Sequence, residues 1–335
     1  MIIDFKHKMA AHCENGSTVN LLRHQGIELS EPLVFGIGSG CFFSYMPFIR
    51  VSGMPVISFR HLPGIIFRRS TSKLGVTIGK MKFHSQRKAM DQLDMLIEQG
   101  IPVGLLVGVF NLTYFPPEYR FHFNAHNMVV MGKENDRYYI SDPVMENIET
   151  LSYKELQRVR FARGTYPSKG RMYWVTGTPP VPDLESAIRR GIKKNCDDML
   201  RIPVPLFGVN GIKYISERLK KWDTHYGQER AALLLGQFIR MLEEIGTGGA
   251  GFRFMYAAFL QEAAGIMNMP DLRDLSVRMT QIGDHWREFA SMGAKNLRKR
   301  NVPATPYPDL AQLLRNIAAK EEGVFRELDR IFVKA

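Results

Sequence analysis

The chain changes character once, at Gly177-Thr178-Pro179-Pro180-Val181-Pro182-Asp183. Proline has no amide proton to donate and fixes its own φ, so this stretch reads as a linker rather than as a helix or an inner strand. Upstream of it, short apolar runs alternate with turns. Downstream, apolar residues recur at helical spacing. The pattern predicts two domains, 1–178 and 179–335. The first is α+β with a mostly antiparallel sheet and the second is all-α. A length of 335 residues with 45% hydrophobic content supplies two cores.

In the first domain, residues 51–59, 75–81, 103–109, 127–132, 137–141 and 172–176 read as strands. Residues 85–99 read as a helix with Met90, Leu93, Leu96 and Ile97 on one face, ended by Gly100-Ile101-Pro102. A further helix covers 17–25 and begins near Cys13, with Ser17 and Thr18 as capping-type residues. Beyond the linker, Asp183 caps a helix over 184–201. Helices follow over 212–222, 228–245, 252–267, 272–291 and 309–333, separated by proline and glycine breaks.

The net charge of +12 implies attraction to an acidic partner. No nucleic-acid-binding motif accompanies the densest basic run, Lys295-Asn296-Leu297-Arg298-Lys299-Arg300, which reads as a solvated helix end. Cys13, Cys41 and Cys196 are too few and too scattered for a disulfide framework. Residues 1–10 have no apolar signal-peptide core, and no apolar run approaches the roughly 20 residues that span a membrane. A cytoplasmic protein is the expectation.

A cysteine at a helix start is held in a field that favours thiolate over thiol. The second chemical signal lies downstream. His126 opens the apolar run 128–131, residues 133–136 form a polar turn, and Asp142 ends the returning strand. Pairing the two strands brings Asp142 back beside His126, where a carboxylate holds one imidazole nitrogen and leaves the other for a thiol. Cys13, His126 and Asp142 are thus the candidate nucleophile, base and orienting group. His12 adjoins Cys13, but neighbours on a helix do not face each other. His122 and His126 have zinc-like spacing, yet four residues along a strand separate them by roughly 13 Å; only if residues 121–126 form a loop does a metal reading revive, and no metal is expected. The Cys13 amide is the natural first donor to an oxyanion, and His7, six residues earlier, is a candidate second. Glu14 and Glu31 are candidates for binding an amine. Gly38, in the glycine-rich turn before Cys41, allows close backbone approach near the site.

The run His12-Cys13-Glu14 to Asn20-Leu21-Leu22, with Leu29-Ser30-Glu31-Pro32-Leu33-Val34-Phe35-Gly36-Ile37-Gly38-Ser39-Gly40, resembles the butirosin biosynthesis protein H family. That family's N-terminal domain is similar to the papain-type, C39-like cysteine peptidases. The stretch from Gly246-Thr247-Gly248-Gly249 to Gln261-Glu262-Ala263 resembles the helical domain that often follows. The resemblance implies an acyltransferase of secondary metabolism. It would carry an amino-acyl group from an acyl-carrier-protein thioester, through a Cys13 thioester, to an amine. The implied partners are an acidic acyl carrier protein, whose phosphopantetheine arm brings the acyl group, and a small-molecule amine; the enzyme itself needs no cofactor. His126 would shuttle protons and Asp142 would orient it. The helical domain is expected to shape the acceptor pocket, with residues 246–251 as hinge or lining and Arg253 and Tyr256 as contacts. Peptidase relatives usually carry glutamine near the place of His7. The same residues acting with water would make a cysteine peptidase or amidase, and an unreactive Cys13 would indicate a binding protein.

Overall fold

The computed structural model describes every residue except 52, 165, 246, 298–302, 334 and 335. Its elements in chain order are α1 (Cys13–His24), α2 (Glu31–Ile37), β1 (Cys41–Val51), β2 (Met54–Arg60), α3 (Ile65–Lys73), β3 (Thr77–Met81), α4 (Gln86–Glu98), β4 (Val103–Val107), β5 (His126–Glu134), β6 (Arg137–Ser141), β7 (Glu149–Ser152), α5 (Tyr153–Arg160) and β8 (Met172–Gly177). The helices α6 (Leu184–Leu200), α7 (Gly208–Leu219), α8 (Trp222–Tyr226), α9 (Gln228–Glu243), α10 (Arg253–Ile266), α11 (Asp271–Ala294) and α12 (Tyr307–Val333) complete it. Two compact units result. One combines Met1–Val34 with Ile66–Asp183, the other Phe35–Ile65 with Leu184–Ala335. The break at 183/184 falls at the end of the expected linker. Residues 35–65, in contrast, belong with the helices and not with the first 178 residues.

The first unit is a mixed α/β domain built on a six-stranded sheet in the order β3-β8-β4-β5-β6-β7. Every neighbouring pair is antiparallel. The helix α4 begins where Ser85 accepts a hydrogen bond from the Lys88 amide, and it buries Met90, Leu93, Leu96 and Ile97 as the periodicity requires. The strands β7 and the helix α5 were not legible from apolar runs. A capping box, Ser152 with Glu155, starts α5.

The β5–β6 hairpin turns at Asn135, whose φ of 53° is left-handed. Its pairing begins at Glu134↔Arg137 and reaches Val129↔Ser141 after a slip between Val130 and Gly132. Met131 is therefore a bulge residue.

The second unit holds the β1–β2 hairpin and the helices α6 to α12. The expected single strand over 51–59 is this hairpin, and its first strand begins at Cys41. Pro47 lies in the irregular stretch between Met46 and Arg50, where the ladder does not require its amide. A hairpin is not stable alone. This one buries Phe43 and Phe59 against Trp286, at ring-centroid distances of 6.3 and 5.5 Å. No helix among the described residues is long and apolar enough to cross a membrane. Of the basic run 295–300, residues 298–300 lie outside the described residues.

Arg253 and Tyr256, expected as acceptor contacts, are core residues of this unit, both 0% exposed. Arg253 forms a bidentate pair with Glu321 at 2.8 and 2.9 Å and donates to the carbonyls of Gly251 and Phe42. The Trp286 indole donates to the same Glu321 carboxylate. The expected hinge is also packed. Gly248, Gly249, Ala250, Gly251 and Phe252 all have positive φ, and a Cβ on Gly251 would meet the Phe59 ring at 2.4 Å. Gly246 lies outside the described residues. Cys41 and Cys196 are buried free thiols. Burial pushes Cys41 up to about 12 and raises Cys196 as well, so neither is poised to react. Gly38 follows α2 as a buried turn residue of this unit.

Candidate active site

The helix α1 starts at Cys13, with His12 as an extended N-cap residue that offers no side-chain cap. An α-helix supplies no acceptor of its own to the amides of its first turn, and Cys13 is the first residue of that turn. Ser17 and Thr18, expected near a capping position, lie inside the helix, where the Thr18 hydroxyl bonds back to the Glu14 carbonyl.

Two features fix where this helix end sits. Glu31 accepts hydrogen bonds from the amides of Ala11 and His12 at 2.9 and 2.8 Å, tying down the two residues before Cys13. Gly16 faces the Asp142-Pro143 turn so closely that a Cβ there would lie 2.4 Å from Pro143 Cβ. The Ala10 amide also donates to the Pro143 carbonyl at 2.7 Å. The absence of a side chain at Gly16 thus lets α1 rest on the turn that carries Asp142.

His126 and Asp142 meet, with Nε2 2.7 Å from Oδ2. The same Oδ2 accepts from the Tyr114 hydroxyl at 2.7 Å, and Oδ1 accepts from the Val144 amide at 3.2 Å. Asp142 is 0% exposed and His126 5%. A carboxylate only accepts, so Nε2 carries a proton and Nδ1 is the nitrogen left for the thiol. Burial by itself lowers the His126 pKa. The charges of Asp142 and Cys13, with hydrogen bonds to both, outweigh it and push the imidazole up to about 10. Phe115 covers the ring edge-on at 5.4 Å.

The remaining expected residues have other partners. His7 is spanned by the Ser141 hydroxyl at Nδ1, 2.8 Å, and the Met145 carbonyl at Nε2, 3.1 Å. With both nitrogens engaged, His7 is not poised to donate to an oxyanion. Glu14 is 0% exposed and accepts from the Phe67 amide in the first turn of α3, so it caps a helix. Both Glu31 oxygens face the backbone, and burial raises its pKa against those hydrogen bonds. Neither carboxylate presents itself to an amine. His122 stacks on Phe110 at 4.1 Å.

One polar residue beside the sulfur escaped the sequence reading. Asn127, the only polar residue in the run 127–131, has its Nδ2 4.0 Å from Cys13 Sγ. A carboxamide inside an otherwise apolar buried strand was the available signal.

Residues 154–328 match the model of the Domain of unknown function (DUF4872), and residues 12–143 match that of Butirosin biosynthesis protein H, N-terminal. The chain belongs to the DUF4872 family. Its N-terminal mixed α/β domain matches the butirosin H model, and the region that follows is all-α. The match over residues 12–143 is consistent with acyl-transfer chemistry and with a cysteine-family enzyme fold. A solved structure described as a "putative C39-like peptidase" from Bacillus anthracis aligns with a TM-score of 0.37 at 12% identity, over 52% of this chain and 97% of that one. No curated protein matches the sequence.

Proposed function

We propose that this member of the DUF4872 family is a cysteine-dependent acyltransferase that moves an acyl group from a carrier-protein thioester to an amine. The observation that carries the reading is the arrangement of Cys13 at the first position of α1, with a buried imidazole held by Asp142 beside it. A thiolate–imidazolium pair is the resting form that such an arrangement favours.

In the first half-reaction, the Cys13 thiolate attacks the thioester carbonyl carbon, and the oxygen takes up negative charge beside the first-turn amides of α1. Collapse breaks the bond to the phosphopantetheine sulfur, which leaves with the proton of His126. In the second, the amine attacks the Cys13 thioester, His126 accepts the amine proton, and Cys13 leaves as thiolate. Asp142 keeps the imidazole in one tautomer and stabilises its charged form through both halves. The net positive charge suits an acidic carrier protein.

The test is intact-protein mass spectrometry after mixing with acylated carrier protein, followed by a panel of amines. The reading requires an acyl adduct on Cys13 that an amine discharges as an amide, and no adduct in Cys13→Ala. Discharge by water at the same rate with and without amines makes the protein a hydrolase. Transfer that survives Cys13→Ala removes Cys13 from the chemistry.

A further inference from the structure

We propose that Asn127 is a further catalytic residue of this site: its side-chain N–H donates to the Cys13 sulfur and stabilises the thiolate, with Tyr173 as the residue that positions it. The inference rests on the reading of Cys13 as the nucleophile.

The orientation of the carboxamide follows from its neighbours. Asn127 is 1% exposed. Its Nδ2 lies 3.4 Å from the Ala125 carbonyl and 4.0 Å from Cys13 Sγ, while Oδ1 lies 2.9 Å from the Tyr173 hydroxyl. A carbonyl only accepts, and so does a thiolate. The reverse amide orientation would set oxygen against both. The amino edge therefore faces the sulfur, and the Tyr173 hydroxyl donates to the other edge.

Tyr173 is built to hold that edge. Its residue pairs with Gly104 across β8 and β4, and a Cβ on Gly104 would lie 2.2 Å from the tyrosine ring. The ring lies over the bare glycine and against Phe67, at a centroid distance of 4.4 Å. Burial, with the nearby charges of Glu14 and Cys13, raises the phenol far above its ordinary range, so it remains a donor at any working pH.

A thiol sulfur is a weak acceptor and a thiolate a strong one, so an N–H aimed at Sγ stabilises the two forms unequally. The difference appears as a lower thiol pKa. It adds to the charge of His126 and does not depend on the protonation of that ring.

The pH dependence of Cys13 alkylation by iodoacetamide, followed by peptide mass spectrometry, tests this. Wild type, Asn127→Ala, Asn127→Asp, Tyr173→Phe and His126→Ala are compared. The expected result is a wild-type midpoint well below the ordinary thiol value of about 8.5, raised by about one pH unit in Asn127→Ala. The rate then falls about tenfold at a pH below both midpoints. Asn127→Asp, which replaces the donor by an acceptor, moves the midpoint further up. Tyr173→Phe, which keeps the ring and removes only the hydroxyl, moves it up by less. Should Asn127→Ala not fold by circular dichroism, Tyr173→Phe decides. A low wild-type midpoint left unchanged in folded Asn127 and Tyr173 variants, but raised in His126→Ala, overturns this proposal alone. An ordinary wild-type midpoint, unmoved by His126→Ala, overturns the reading of Cys13 and this proposal with it.

Discussion

The Nε2 of His126 lies 2.7 Å from Oδ2 of Asp142 because the hairpin that joins them slips by one residue. Continued without a slip from Glu134↔Arg137, the register would set Asp142 opposite Val129. Side chains alternate along a strand, so that is the face away from His126. The bulge at Met131 shifts the register to Val129↔Ser141, which extends to Asp142 opposite Met128, on the face that His126 shares.

Asp142→Asn is expected to lower the His126 pKa from about 10 towards its ordinary 6.5, because the Asp142 charge is the largest influence raising it. A raised histidine pKa stabilises the fold fully below about 6.5, and that contribution fades as pH rises through about 10. In the variant it fades at lower pH. Acyl transfer at pH 8 should drop about 100-fold or more. Urea unfolding from pH 6 to 10 and transfer rates over the same range check both effects. A wild-type-like pH profile would remove Asp142 from the site.

Gly16→Ala places a methyl group 2.4 Å from Pro143 Cβ and 2.6 Å from Ala10 Cβ, so the helix and the turn must separate. A loss of stability of about 1–3 kcal/mol is expected. Slower Cys13 alkylation should accompany it, since the same shift moves Cys13 from His126. Chemical denaturation and labelling at pH 7 measure the pair. Stability lost with labelling unchanged would show that the turn does not set the position of Cys13.

Glu31→Gln leaves one oxygen to serve the amides of both Ala11 and His12. The expected cost is about 1.5–3 kcal/mol, the loss of one hydrogen bond to a charged acceptor. Amide hydrogen exchange at residues 11 and 12 reports it directly. Unchanged protection there would mean that the loop is held by other contacts.

Arg253→Met strands the fully buried Glu321 carboxylate and should cost about 3–5 kcal/mol. Replacing Glu321 by Met as well removes the stranded charge and should recover part of the loss. A double variant no more stable than Arg253→Met would contradict the account of this core pair.

Much of the fold was legible in local pattern. The proline-rich stretch before Leu184 marked the start of the helical region, and apolar spacing located α4, β6, β8 and most of the later helices. Pro47 sits in a strand because the pairing is irregular there, and residues 35–65 join the helices because Trp286 and Phe238 cover the hairpin rings. Arg253, expected as an acceptor contact, is buried instead, and Glu321, 68 residues further along the chain, is what allows it.

The sequence by itself determined that a cysteine opens a helix and that a histidine and an aspartate bracket a hairpin, since helix starts and hairpin turns are written in short runs of residues. Only the tertiary structure decided that the histidine and the aspartate share a face. One bulge residue reverses every side chain beyond it, and no local periodicity records the slip. The assignments of His7, Glu14 and Glu31 were likewise decided in three dimensions. Each side chain's hydrogen-bonding capacity is used by a partner distant in sequence, and a chain read in one dimension cannot tell an engaged polar group from one poised to act.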